Sequence, residues 1–196
     1  DSFDEKVFKE ITGSEGAGKV RTAIEKALTY EDLRVKINCV PLKGINDDSL
    51  ADLAAMAKDH RLSVRFIEMM PIGLGRRFKA FREDELKALL EARFGPMTYF
   101  AGKLGNGPCR YFTIDGFMGK VGFISAVSHK FCDKCNRIRL TSDGFLKTCL
   151  QFNEGTSLIE LLRCGADDRI LQSVIYDTIY NKPEGHQFGQ VIDSQC

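Results

Sequence analysis

Arg34-Val-Lys-Ile-Asn-Cys-Val-Pro-Leu42, Gly44-Ile-Asn-Asp-Asp48 and Leu62-Ser-Val-Arg-Phe-Ile-Glu-Met-Met70 are the three stretches on which the fold of this chain turns. The first is β-rich, with a lysine in its middle and a proline near its end. The second is a turn whose Asp47 and Asp48 read as helix-capping residues. Leu50, Leu53, Ala54, Met56 and Ala57 then recur at helical spacing to about His60, and the third stretch is a strand ended by Pro71. Upstream, residues 4–30 read as helical, broken at Gly13-Ser-Glu-Gly-Ala-Gly18 and carrying Val20, Ile24, Ala27 and Leu28 on one face. Helix, strand, helix and strand joined by short turns is the pattern of βα units around a parallel sheet. Two strands are too few for a sheet covered on both faces, so residues 1–74 are expected to be part of an α/β barrel. Such barrels gather their chemistry at the C-terminal ends of the strands.

Beyond Gly73 the pattern changes. A helix is expected from Glu83 to Phe94, stopped by Gly95-Pro96, and residues 98–150 are β-rich and punctuated by glycine. Two amphipathic helices are expected at about 157–163 and 166–181, the second behind Gly165. Residues 75–186 thus read as a small α+β domain. The stretch 187–196 has no periodicity and is expected to be a flexible tail.

With 196 residues, 43% apolar and 28% charged, the chain has the composition of a globular protein with a sizeable core. A net charge of +1 offers no global attraction to nucleic acid or to a membrane surface. Any anionic partner must be held by a local cluster of base. No run approaches the roughly 18 apolar residues of a membrane span. Seven cysteines, three of them within 18 residues, point to a reducing compartment, by default the cytoplasm, and to metal ligation.

Those three lie in Cys132-Asp-Lys-Cys-Asn-Arg-Ile-Arg-Leu-Thr-Ser-Asp-Gly-Phe-Leu-Lys-Thr-Cys149, spaced C-x2-C-x13-C. A C-x2-C pair converges two thiolates on one centre. Ser142-Asp-Gly144 is a hairpin turn, so a strand from Phe145 to Leu150 is expected to bring Cys149 back to the pair. If Cys135 to Leu140 is extended, Arg137 and Arg139 share the face of Cys135, and Ile138 and Leu140 face the core. Guanidinium groups suit phosphate, so a nucleotide triphosphate could span the metal centre and the arginines. Zinc and iron–sulfur readings compete. A structural zinc wants a closed set of four ligands, which His129, Cys109 or Cys164 could complete. An iron–sulfur cluster on three thiolates keeps one iron open, and the two arginines favour that open arrangement.

Without further context the other candidates have plain readings. Lys36 reads as a snorkelling strand lysine, Met70 as core filler and His129 as a residue beside the centre rather than a ligand. Cys39, Cys109 and Cys164 read as small buried hydrophobes. Cys196 has no assigned role.

The cysteine segment closely resembles the second-cluster motif of the molybdenum cofactor biosynthesis protein A family, the radical S-adenosylmethionine GTP 3′,8-cyclases. Further stretches agree in order: Val35-Lys-Ile-Asn38, Lys43-Gly-Ile-Asn-Asp47, Arg65-Phe-Ile-Glu-Met-Met-Pro71, Gly122-Phe-Ile-Ser125, Leu162-Arg-Cys-Gly-Ala-Asp167 and Lys182-Pro-Glu-Gly-His186. The resemblance implies the C-terminal half of a partial (β/α)6 TIM-like barrel, followed by a small α+β domain carrying a [4Fe-4S] cluster. It implies that Cys132, Cys135 and Cys149 ligate that cluster, whose open iron binds the guanine of GTP. Arg137, Ile138, Arg139 and Lys36 would contact GTP, and Met70 would line the S-adenosylmethionine site. The implied activity is that of a lyase converting GTP to (8S)-3′,8-cyclo-7,8-dihydroguanosine 5′-triphosphate by a radical derived from S-adenosylmethionine.

The family's first cluster uses a C-x3-C-x2-C motif that this sequence lacks, and its Gly-Gly end is replaced here by Ser194-Gln-Cys196. The chain is therefore expected to be a C-terminal portion, unable alone to cleave S-adenosylmethionine. Expected partners are GTP, the upstream barrel half with its second [4Fe-4S] cluster, a second copy in a homodimer, and the downstream cyclic pyranopterin monophosphate synthase. Nucleic acid and membrane are not expected partners. The alternatives are a non-catalytic nucleotide- or metal-binding module and a structural zinc-ribbon interaction domain.

Overall fold

A computed structural model of the chain describes residues 1–188, which divide at Lys130 into two compact units. The expected tail lies outside the described residues except for Gln187 and Phe188, as does Cys196. The first unit contains α1 (Glu5–Thr12), α2 (Ala17–Leu28), β1 (Lys36–Cys39), α3 (Asp47–Asp59), β2 (Ser63–Ile67), α4 (Glu83–Phe94), β3 (Met97–Phe100), β4 (Arg110–Ile114) and β5 (Lys120–Ile124). Helices α1 and α2 separate at the expected glycine-rich break, where Gly13 takes φ 72° and closes α1 through a bond from its N–H to the Lys9 carbonyl.

The strands form one open sheet in the order β1-β2-β5-β4-β3. β1, β2 and β5 are parallel, with Lys36 level with Ser63 and Ser63 level with Lys120, while β4 and β3 continue the sheet antiparallel. One face carries Cys39, Val64, Phe66, Val121, Phe123, Phe112 and Ile114. With Leu50, Leu53, Ala54 and Ala57 of α3 and Leu86 and Leu90 of α4, these side chains make the core. Phe123 lies at its centre, its ring 5.6 Å from Phe112 and 6.1 Å from Phe66. The α3 stripe is the one its apolar spacing implies, but Val20 of the α2 stripe is exposed.

Strand β5 enters beneath α3 at very close range. The N–H groups of Met118 and Gly119 donate to the carbonyls of Lys58 and Ala57, and a side chain at Gly119 would collide with the carbonyl oxygen of Leu62. Only glycine lets the two backbones approach this way.

The mixed α/β class is as expected, but the division of the chain differs from the expected boundary after residue 74. β5 pairs with β2 along five residues, so the sheet begun by β1 and β2 continues through residue 124. The hydrogen-bonded ladder, rather than the change in composition near Gly73, sets where the first unit ends. Asp47 also differs from its reading as a simple cap: its carboxylate accepts from the amides of Gly44 and Ile45 in the preceding turn. Asn46, 1% exposed, accepts from the Leu42 amide and donates to the Val40 carbonyl, tying β1 to the start of α3.

The second unit contains β6 (Arg139–Leu140), β7 (Phe145–Lys147), β8 (Gly155–Ser157), α5 (Leu158–Arg163) and α6 (Asp168–Tyr180). The sheet order is β6-β7-β8, all antiparallel. Helix α5 packs on β7 and α6 on β8, where the hydroxyls of Thr156 and Thr178 stand 2.8 Å apart. Asp167 caps α6 by accepting from the Ile170 amide at 2.9 Å. Among the described residues no helix is long and apolar enough to cross a membrane.

Candidate functional site: the cysteine hairpin

Cys132–Lys134 forms a short 3-10 turn in which the Cys135 N–H donates to the Cys132 carbonyl at 3.1 Å. The turn follows directly from the C-x2-C spacing and places both cysteines, each half-buried, on one loop. From Cys135 (φ −78°, ψ 110°) the chain runs extended into β6. The expected hairpin is present: Leu140 pairs with Leu146, the Gly144 N–H donates to the Thr141 carbonyl, and Gly144 takes φ 76°. Thr141 braces the turn, its hydroxyl oxygen accepting from the Phe145 N–H at 3.0 Å. Its side chain also bonds the Asp143 carboxyl and holds it below the usual carboxylate range. β7 ends at Lys147, and Cys149 follows, half-buried, after the buried Thr148.

Ile138 and Leu140 do not face the core. They are 45% and 64% exposed, because β6 is a two-residue edge strand with a neighbour on one side only. Arg137 and Arg139 are exposed too, and neither guanidinium has an acidic partner among the described residues. The hairpin therefore presents two exposed guanidinium groups between its cysteines.

Sequence reasoning missed Lys182, although it lies in a stretch singled out for resemblance. Helix α6 stops at Tyr180 because Pro183 cannot continue it, and the residue before a proline is pushed away from helical geometry. The Lys182 ammonium then reaches the cysteine loop, donating at 2.9 Å to the carbonyls of Cys135 and Arg137 and standing 3.4 Å from the Cys135 sulfur. Beyond it, Gly185 lies against Cys132, so that a Cβ there would be 3.6 Å from the Cys132 Cβ. The buried His186 ring lies 4.3 Å from that of Phe188, and the Gln187 N–H donates to Gln151.

The candidates for a fourth zinc ligand are otherwise placed. His129 Nδ1 lies 3.3 Å from the Ser128 hydroxyl and 3.5 Å from Glu83, which also holds Arg110 and Ser125. Cys109 fills the space left by the absent side chain of Gly122, beside Tyr111. Cys164, expected to be buried, is exposed at the end of α5. Among the described residues no group of three or more His, Cys, Asp or Glu side chains is gathered to hold a single ion. The donor set fits an iron–sulfur cluster better. Its irons occupy separate corners and take one thiolate each, so the ligands need not converge on a point. Three thiols in one unit, with an ammonium on one of them, are donors of the right kind.

Lys36 and Met70 belong to the first unit. Lys36 opens β1, on the sheet face away from the core, and its ammonium donates to the Leu104 carbonyl. Met70 lies three residues past β2, half-buried, its carbonyl accepting from the Ile72 N–H at 2.8 Å. Since Lys36 is level with Ser63, the two positions are separated along the parallel strands by more than about 13 Å. Lys36 is thus at the N-terminal end of its strand, not at the end where barrel chemistry usually gathers. On the same face the Arg65 Nε donates to Asn38 at 2.8 Å.

Burial sorts the remaining thiols. It pushes Cys39 up to about 12 and Cys109 up to about 11. At about pH 8 both stay thiols and react slowly. Iodoacetamide followed by peptide mass mapping is expected to label the exposed Cys164 well before either. Labelling of Cys39 or Cys109 at the rate of Cys164 would contradict the packing described.

Residues 62–188 match a family model described as Molybdenum Cofactor Synthesis C. The chain is 42% identical over 188 residues to a GTP 3′,8-cyclase of Clostridium perfringens, covering 96% of this chain and 58% of that protein. It is 38% identical over 189 residues to a GTP 3′,8-cyclase of Syntrophomonas wolfei, covering 95% and 58%. With molybdenum cofactor biosynthesis protein moc-5 of Caenorhabditis elegans the identity is 39% over 191 residues, covering 95% of this chain and 31% of that one. The chain thus spans 58% of the length of these bacterial relatives. The matched residues run from β2 through the cysteine hairpin to Phe188, past the lysine that grips it, and the chain belongs to the molybdenum cofactor synthesis C family.

Proposed function

We propose that this chain acts in molybdenum cofactor biosynthesis as the GTP-holding portion of a radical S-adenosylmethionine GTP 3′,8-cyclase. The observation that carries this reading is the cysteine hairpin itself, where three thiols flank two exposed guanidinium groups that have no acidic partner among the described residues. Family membership and relatives named GTP 3′,8-cyclase support it. In this reading Cys132, Cys135 and Cys149 hold a [4Fe-4S] cluster. When bound, that cluster supplies an open iron as a Lewis-acidic site for the guanine base.

The chain's own residues supply charge and orientation. Arg137 and Arg139 neutralise phosphate through planar forks of donors, with Ile138 between them as an apolar contact. Lys36 adds a cation from the opening of β1. Met70, past the far end of β2, borders the S-adenosylmethionine site. Holding a reactant in one orientation is itself a large contribution to rate.

Equilibrium GTP binding by the anaerobically reconstituted chain tests this. Each charge-assisted hydrogen bond contributes about 1.5–3 kcal/mol, so Arg137→Ala and Arg139→Ala should each weaken GTP binding by roughly 10- to 100-fold. Unchanged affinity in both variants would remove the hairpin from the substrate site.

A further inference from the structure

Lys182 makes three contacts with one loop, and the reading above gives it no part. An ammonium has three donors and no acceptor. Here they meet the carbonyl of Cys135, the carbonyl of Arg137 and the sulfur of Cys135. We propose that Lys182 is a positioning residue for the iron-ligating loop, fixing the backbone on both sides of Asn136 and orienting the Cys135 sulfur toward the cluster. The inference rests on the assignment of Cys135 as an iron ligand.

The local structure explains why a lysine at this place can do so. Asn181 closes α6 by donating through its backbone and side-chain N–H groups to the Asp177 carbonyl, at 3.0 and 2.8 Å. Pro183 then holds the chain extended, and Gly185 brings the backbone flat against Cys132. The segment from Lys182 to His186 is therefore a strap along the Cys132–Cys135 turn, touching the first cysteine with a glycine and the second with a cation. The loop it grips has little else to fix it, since β6 is two residues long and residues 136–140 are exposed. Groups that hydrogen-bond a metal ligand set its orientation and the metal's affinity. Hydrogen bonds to a cluster's sulfurs also set its reduction potential.

The test compares the wild-type chain with Lys182→Met, which keeps the length without the charge, and Lys182→Arg, which keeps the charge. After anaerobic reconstitution with iron and sulfide, the methionine variant is expected to release iron to a chelator about tenfold faster than wild type. Its cluster should be reduced at a lower potential, because the cation that favours the electron-rich state is gone. The arginine variant should recover most of both. In the metal-free chain, trypsin should cut after Arg137 and Arg139 severalfold faster in the methionine variant, with cleavage inside residues 1–130 unchanged.

Iron release, potential and cleavage all equal to wild type would overturn the proposal. So would faster cleavage spread evenly over the whole chain, which would make Lys182 a general stability residue. A wild-type chain that binds no acid-labile sulfide would instead bring down the cluster reading, and the cleavage pattern would still decide whether Lys182 fixes the loop.

Discussion

Cys135→Ser and Cys149→Ser are each expected to abolish most of the iron and acid-labile sulfide that the reconstituted chain retains, while Cys164→Ser leaves both unchanged. A serine hydroxyl is a far weaker ligand for iron than a thiolate, and three thiols leave no spare donor on this hairpin. The loss should exceed about tenfold, since even groups one step removed from a metal change its affinity by that factor. Cys164 provides the control because it is an exposed thiol at the end of α5, the type of site that oxidises and alkylates without structural consequence. Iron and sulfide assays with the visible absorption spectrum give the answer. One tightly held zinc and no sulfide in anaerobically isolated protein would exclude the cluster. Equal iron in all three variants would show that the metal is bound elsewhere.

Phe123→Ala should be the most destabilising single change in the first unit. Phe123 is 2% exposed and stands on β5, the strand that joins the parallel pair to the antiparallel pair. Its ring meets Phe112 edge-on and Phe66 at a tilt, an arrangement that favours aromatic pairs beyond the area they bury. Truncating a buried phenylalanine to alanine costs about 3–5 kcal/mol, a large share of the roughly 5–15 kcal/mol that typically separates folded from unfolded protein. Thermal or urea unfolding followed by circular dichroism should show the loss. Tyr99→Ala, on edge strand β3 at a residue 61% exposed, should cost much less despite its own edge contact with Phe112. Similar effects of the two substitutions would contradict the placement of the core.

Local features of this chain were legible residue by residue. The glycine break between α1 and α2, the apolar stripe of α3, the stop of α4 at Gly95 and the Thr141–Gly144 turn depend on neighbours within a few positions. Spacing and turn chemistry report such neighbours directly. The turn residues Ser142-Asp-Gly144 likewise implied a hairpin with a returning strand, and both are present, although β7 ends at Lys147, short of the expected Leu150. The parallel pairing of β1 with β2 followed from the βα order, but pairings beyond it were not legible. Nothing near residue 120 indicates that β5 will lie parallel to β2, and that pairing moves the end of the first unit from residue 74 to Lys130. Alternation placed Ile138 and Leu140 inside, but it assumes a sheet that covers both sides of the strand. A two-residue edge strand has no such cover.

The amino-acid order thus settled the helices and the turns, because periodicity and capping are short-range properties, and the family through the likeness of its motifs to known ones. Folding in three dimensions decided that the first sheet is mixed and open, that the hairpin arginines stand in solvent, and that Lys182 reaches back 47 residues to the sulfur of Cys135. Contacts of that kind depend on where a helix ends in space and on which strand has room for another neighbour. Both depend on the packing of the whole chain, which no short window of sequence contains.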